Sequence, residues 1–134
     1  MSAPVKATVD AAPAATRTNW DSVYSEEQAA RGLQVYTRAC AVCHLDTLRG
    51  DSVSPTLVGP SFFARFPSFT ALEMVTAIRS SMPQNAPDSL GDQAYVDLVS
   101  YLLKVNGNRP GPSELKTDVA ELEKIIITDQ ARTK

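Results

Sequence analysis

Two cysteines three positions apart, Cys40 and Cys43, are followed at once by the only histidine of the chain, His44, in the string Cys-Ala-Val-Cys-His. Thiols at this spacing can each add across one vinyl group of a haem, and the imidazole beside them can reach the iron as its proximal ligand. The competing chemistries fit less well. A structural zinc site needs four protein ligands, and the chain has no further cysteine or histidine to complete one. A thioredoxin-like redox pair needs a βαβ setting that the flanking sequence does not offer. A plain Cys40–Cys43 disulfide leaves His44 without a role. The motif therefore predicts one covalently attached haem c.

Haem iron has two axial positions, and a single histidine excludes a bis-histidine site within one chain. Methionine leads for the second position, because its soft thioether stabilises ferrous iron and raises the reduction potential. Of the three methionines, Met1 begins a segment without periodicity. Met74 falls in a helical pattern beside an apolar stripe, where a methionine ordinarily fills core space. Met82 is followed by Pro83 in Ser-Met-Pro-Gln-Asn-Ala-Pro, a loop suited to laying a side chain across an open haem face. We expect His44 and Met82 as the metal ligands, with Met74 or an open position as the alternatives.

Three helices are predicted to position these groups. Ser25-Glu26-Glu27-Gln28 reads as a capping box opening a helix over 26–39, with Ala29, Gly32, Leu33 and Tyr36 on one face. Glycine within a helix costs up to ~1 kcal/mol relative to alanine, so Gly32 marks a close approach of another backbone, for which the last helix is the natural candidate. Thr70-Ala71-Leu72-Glu73 opens a second helix to about residue 80, with Leu72, Val75 and Ile78 available for packing. A third helix spans 92–105, where Tyr95, Leu98, Val99, Leu102 and Leu103 follow the helical repeat and Gly107 stands beyond its end. Residues 45–69 hold three prolines and two glycines and read as loop with at most one helical turn near 62–66. Beyond Gly111, a short helix over 114–124 capped by Ser113 or Thr117 is expected, followed by the β-branched run Ile125-Ile126-Ile127.

Composition sets the outer bounds. A chain of 134 residues with 43% hydrophobic and 21% charged residues is sized for one globular domain. Net charge of −2, with charges interspersed, offers no basic patch for nucleic acid. No run approaches the ~20 apolar residues of a membrane span, nor is a secretory signal visible. Residues 1–19, rich in Ala, Thr and Pro, read as a flexible tail. Residues 20–111 form the domain, and 112–134 a C-terminal extension.

Taken together, Cys-x-x-Cys-His after a first helix, Pro55-x-Leu57 in the loop, Met82-Pro83 and a tyrosine-bearing last helix resemble a mono-haem class I c-type cytochrome over about residues 20–111. The stretch from Val23 to Gly32 also resembles the small cytochromes that accompany periplasmic quinoprotein dehydrogenases. The resemblance implies an all-α cytochrome c fold, three main helices plus loops wrapped around one covalently bound haem. It implies that the Pro55 carbonyl accepts a hydrogen bond from the non-ligating nitrogen of His44. It further implies that Phe62, Phe63 and Phe66 line the haem crevice, although as bare sequence they read equally well as core. Arg49 and Arg65 are candidates for the haem propionates and, equally, for solvated surface. Gly91 stands before the last helix where Ser or Thr would cap more strongly.

The function so implied is electron transfer rather than catalysis. A soluble monomer would take single electrons from a periplasmic dehydrogenase and pass them to a terminal oxidase or another cytochrome. Because covalent haem attachment in bacteria takes place outside the cytoplasm, a periplasmic location and a removed export signal are expected. The alternatives are a sensor in which Met82 gives way to a small ligand, and a peroxidase-like enzyme, which the lack of a second histidine as distal acid or base disfavours.

Overall fold

The computed structural model describes residues 17–129. Its elements run β1 (Arg17–Thr18), α1 (Glu26–Ala39), α2 (Ala41–His44), α3 (Pro60–Phe63), α4 (Ala71–Ser81), α5 (Asp92–Val105), α6 (Val119–Leu122) and β2 (Ile125–Ile126). Three main helices, α1, α4 and α5, carry the fold, and the predicted bounds of α1 and α5 are those observed.

The caps show why α1 and α4 begin where they do. The Ser25 side chain accepts from the backbone N–H of Gln28, and acidic Glu26 and Glu27 fill the first turn of α1 where the helix dipole favours them. Thr70 and Glu73 form a complete reciprocal box at the start of α4. Gly91 precedes α5 without a side-chain cap.

α1 crosses α5 in the main interface of the fold, and α4 packs on α5 beside it. At the crossing Gly32 lets the two backbones touch, as a Cβ built there would lie 1.9 Å from the Asp97 carbonyl oxygen. The Tyr36 and Tyr101 rings meet alongside at 5.6 Å between centroids. The buried stripe of α1 is Gln28, Ala29, Gly32, Val35 and Tyr36. Leu33, expected on this face, is 45% exposed. Its place is taken by Val35, because close contact at Gly32 turns the 28–32–35 edge of the helix toward α5.

Gln28 also departs from expectation. Instead of returning to cap its own helix, its side chain spans outward, accepting from Leu115 N at 2.6 Å and donating to Leu115 O at 2.8 Å. It thereby stands in for a strand partner. Its Nε2 lies 3.2 Å from Asp97, a buried carboxylate that also accepts from Gln93 at 2.8 Å and from Arg31 at 3.1 and 3.2 Å. A carboxylate removed from water is tolerated only when its oxygens are so satisfied. Arg31 reaches on to Glu114 at 2.7 Å, and this bond holds the Glu114 carboxyl below the usual range.

The C-terminal extension packs as an integral layer. Leu115, Leu122, Ile125 and Ile127 are buried in the common core. The expected helix over 114–124 shrinks to the single turn α6 with Asp118 as its cap, because Leu115 must lie extended against Gln28. β1 pairs in parallel with β2, Arg17 opposite Ile125 and Thr18 opposite Ile126. Asn19 is buried and exchanges hydrogen bonds with Thr128 at 2.7 and 3.0 Å. Residues 17–19, assigned above to the tail, thus belong to the folded unit. Backbone pairing of two residues needs no apolar repeat, so composition does not reveal it. The rest of the expected tail lies outside the described residues. In the loop over 45–69 the expected turn starts earlier, at Pro60, whose fixed φ and missing N–H suit a first helical position.

Candidate haem site

α1 ends at Ala39 with Cys40 as its C-cap, and the chain turns directly into α2, where the N–H groups of Cys43 and His44 bond back to the Cys40 carbonyl at 3.2 and 3.0 Å. Positions three and four apart share one helical face, so this turn groups both thiols and the imidazole. Both cysteines are free, Cys40 half-buried and Cys43 exposed, while His44 is buried. Burial, then the neighbouring Cys43, pushes the Cys40 thiol up to about 11. A neutral sulfur suits that wall, and a thioether, which cannot ionise, suits it better.

The loop after α2 is shaped to meet His44. Gly50, at φ +65°, donates its N–H to the His44 carbonyl at 3.0 Å. Asp51 accepts from the N–H groups of Val53 and Ser54 at 2.8 and 2.9 Å, bonds that hold its carboxyl below the usual range. This turn brings the Pro55 carbonyl to 2.9 Å from His44 Nδ1. With Nδ1–H donating to a carbonyl, the ring takes the tautomer that leaves Nε2 open to a metal, with raised basicity.

Met82 follows α4 as its C-cap in extended conformation, its N–H bonded to Ile78 O at 2.8 Å. Its own carbonyl accepts from the Tyr95 hydroxyl at 2.7 Å. The strap from Met82 to Gly91 is fastened further along, where Arg79 pairs with Asp88 at 3.2 Å and with Asp92. Met74, by contrast, is fully buried in α4 as core filling.

These parts surround a cleft of about 740 Å³. Cys40, Cys43, His44, Pro55, Phe62, Phe66 and Met82 all line it. Leu57, Ala77, Ile78, Leu98 and Leu102 supply further apolar wall, and Arg65 stands at its edge. Arg49 is exposed and is not among the lining residues, and Phe63 packs behind Phe62 at 5.4 Å between ring centroids. Val42 and Val53, 83% and 86% exposed, also border the opening. The donor set fits a haem: two thiols for attachment, an imidazole with its tautomer fixed, a thioether and apolar walls. Among the described residues no three His, Cys, Asp or Glu side chains cluster to hold a metal by themselves. A haem would bring most of its iron's ligands with it and would need no such cluster.

A family model described as cytochrome c oxidase, cbb3-type, subunit III matches residues 27–102. The chain belongs to this family of c-type cytochrome domains. The match runs from the first turn of α1 to the last turn of α5 and contains every residue of the cleft wall. No curated protein and no solved structure matches the chain significantly. Membership implies covalently bound haem c, haem-based electron transfer and redox partners. No helix among the described residues is long and apolar enough to cross a membrane.

Two residues of this cytochrome domain escape sequence reasoning. Tyr95 is the first, because its position in the apolar repeat of α5 conceals a hydroxyl bonded 13 residues away. Asn106 is the second. Its side chain accepts from Gly59 N at 2.8 Å and donates to Leu57 O at 3.0 Å, tying the loop beyond Pro55 to the end of α5.

Proposed function

We propose that this chain carries single electrons on one haem c, attached through Cys40 and Cys43, with His44 and Met82 as the residues that would hold the iron. The observation that supports this most is the convergence of all four side chains on one apolar cleft. Bound haem supplies a reversible one-electron centre.

The residues divide the remaining work. Pro55 holds the His44 ring and raises its basicity, which favours the ferric state. Met82 presents a soft sulfur, which favours the ferrous state, and the potential reflects the balance of the two. With His44 and Met82 both holding the iron, no position would be left for a substrate, and the haem would supply one-electron chemistry alone. Phe62, Phe66, Leu98 and Leu102 exclude water, while Arg65 can pair with a propionate. Exposed Val42 and Val53 leave an uncharged rim where a partner docks briefly over a small area.

The cytochrome c fold wrapped around that single haem, a monomeric state and a periplasmic location belong to the same reading. A periplasmic dehydrogenase is the proposed donor, and a terminal oxidase or another cytochrome the acceptor.

The experiment is an intact mass with a reduced-minus-oxidised spectrum on protein matured in a host competent for haem attachment. One haem of added mass and a low-spin spectrum are expected. In the Cys40→Ala, Cys43→Ala double variant the haem should extract into acidified organic solvent. Colourless wild-type protein, or retention of haem by the double variant, would overturn the proposal.

A further inference from the structure

We propose that Tyr95 is a positioning residue for the methionine ligand, its hydroxyl acting as the latch that holds the Met82 strap over the cleft. This rests on the reading of Met82 as an iron ligand. Tyr95 lies in the first turns of α5, fully buried, and donates to the Met82 carbonyl at 2.7 Å. Met82 is the first residue beyond α4, and Pro83 after it has no N–H to give. The backbone bonds of the strap run within itself, Ala86 N to Pro83 O at 2.8 Å, or back to α4, Met82 N to Ile78 O at 2.8 Å and Asp88 N to Arg79 O at 2.9 Å, and none of these reaches α5. The tie to Tyr95 is therefore what joins the ligand's own peptide to the rigid α5.

A methionine side chain has several rotatable bonds, so its sulfur is placed only as well as its backbone is. A hydrogen bond to the carbonyl of that same residue restrains the torsions from which the side chain departs. Arg79 supports the arrangement from the other side, its guanidinium 5.2 Å from the Tyr95 ring centroid while it pairs with Asp88 in the strap.

The bland alternative is a buried tyrosine that has merely found a partner. The two differ in what removal of the hydroxyl does. Met82 is only partly buried, so a released carbonyl can turn to water and the global fold loses little. The strap, however, gains freedom, and the iron becomes easier for an outside ligand to reach.

The test is an imidazole titration of the ferric holoprotein, full length, for wild type, Tyr95→Phe, Met82→Ala and Val99→Ala. Val99 is buried in the same helix and is not among the residues lining the cleft, so it controls for general loosening. Imidazole should bind Tyr95→Phe about five- to tenfold more tightly than wild type, the change expected from one hydrogen bond of ordinary net strength. Val99→Ala, compared at its measured unfolding free energy, should bind as wild type does. An affinity in Tyr95→Phe within twofold of wild type, or an equal gain in Val99→Ala, overturns the latch. Wild type that already binds as tightly as Met82→Ala overturns the ligand reading itself, and the latch with it.

Discussion

The carbonyl oxygen of Asp97 occupies the space where a side chain on Gly32 would begin. An ideal Cβ at Gly32 falls 1.9 Å from that oxygen, 2.7 Å from its carbon and 2.8 Å from the Tyr101 Cβ. Two of these are backbone atoms, which no rotamer change can move. In Gly32→Ala the helix gains about 1 kcal/mol of propensity, but α1 and α5 must separate along the main interface, at a cost of up to ~3 kcal/mol or more. We expect net destabilisation of roughly 2 kcal/mol, read by denaturant unfolding of the holoprotein. A variant as stable as wild type would show that the crossing is looser than described.

Gly50 is the corresponding position for the histidine. At φ +65° its missing Cβ would lie 1.9 Å from Ser54 O and 2.8 Å from Pro55 O. Gly50→Ala should therefore displace the Pro55 carbonyl from His44. Less electron density on the imidazole disfavours ferric iron, so the potential should rise. A redox titration that gave a lower or unchanged value would dissociate Pro55 from the tuning of the iron.

Met82→Ala should act in the opposite direction. Losing the soft ligand lowers the potential and opens the iron to cyanide or imidazole. The charge-transfer band that marks methionine on ferric haem should vanish from the red end of the visible spectrum. If potential and spectrum were unchanged, the ligand role would pass to Met74, and α4 would have to turn that residue out of the core.

Removal of residues beyond Gly111 tests the extension. Leu115, Leu122, Ile125 and Ile127 are each at most 4% exposed. At ~2 kcal/mol for each buried side chain, their loss amounts to about 8 kcal/mol, comparable to the whole stability of an ordinary domain. The truncated chain should lose its cooperative thermal transition by circular dichroism. A sharp melt near the wild-type temperature would make the extension an ornament.

Legibility from sequence followed the range of the interactions. Ser25 and Thr70 announce their helices because a cap acts over three residues, and Cys40, Cys43 and His44 announce the haem because attachment chemistry fixes their spacing. Gly32 was legible as a close approach, since a helix seldom keeps a costly residue without contact. The Tyr95–Met82 bond, the Asn106 tie and the Gln28–Leu115 pairing join a side chain to a distant backbone, and such bonds leave no local periodicity. The ladder of Arg17–Thr18 with Ile125–Ile126 is hidden for the same reason, its two strands being more than 100 residues apart in sequence. Leu33 misled because helical spacing defines a stripe but not the rotation of that stripe about its axis.

The phenylalanines of the cleft continue beyond it. Phe62 meets Phe66 edge-on at 5.3 Å, Phe66 meets Phe69 at 5.6 Å, and the Phe69 carbonyl takes the N–H of Ile127 at 2.7 Å. A row of edge-to-face rings thus runs from the wall of the pigment's chamber to the segment just after β2. Unseating that segment would tilt the row, and the absorbance of the chromophore would register the event, giving the layer formed by Leu115, Leu122, Ile125 and Ile127 an optical gauge of its own docking.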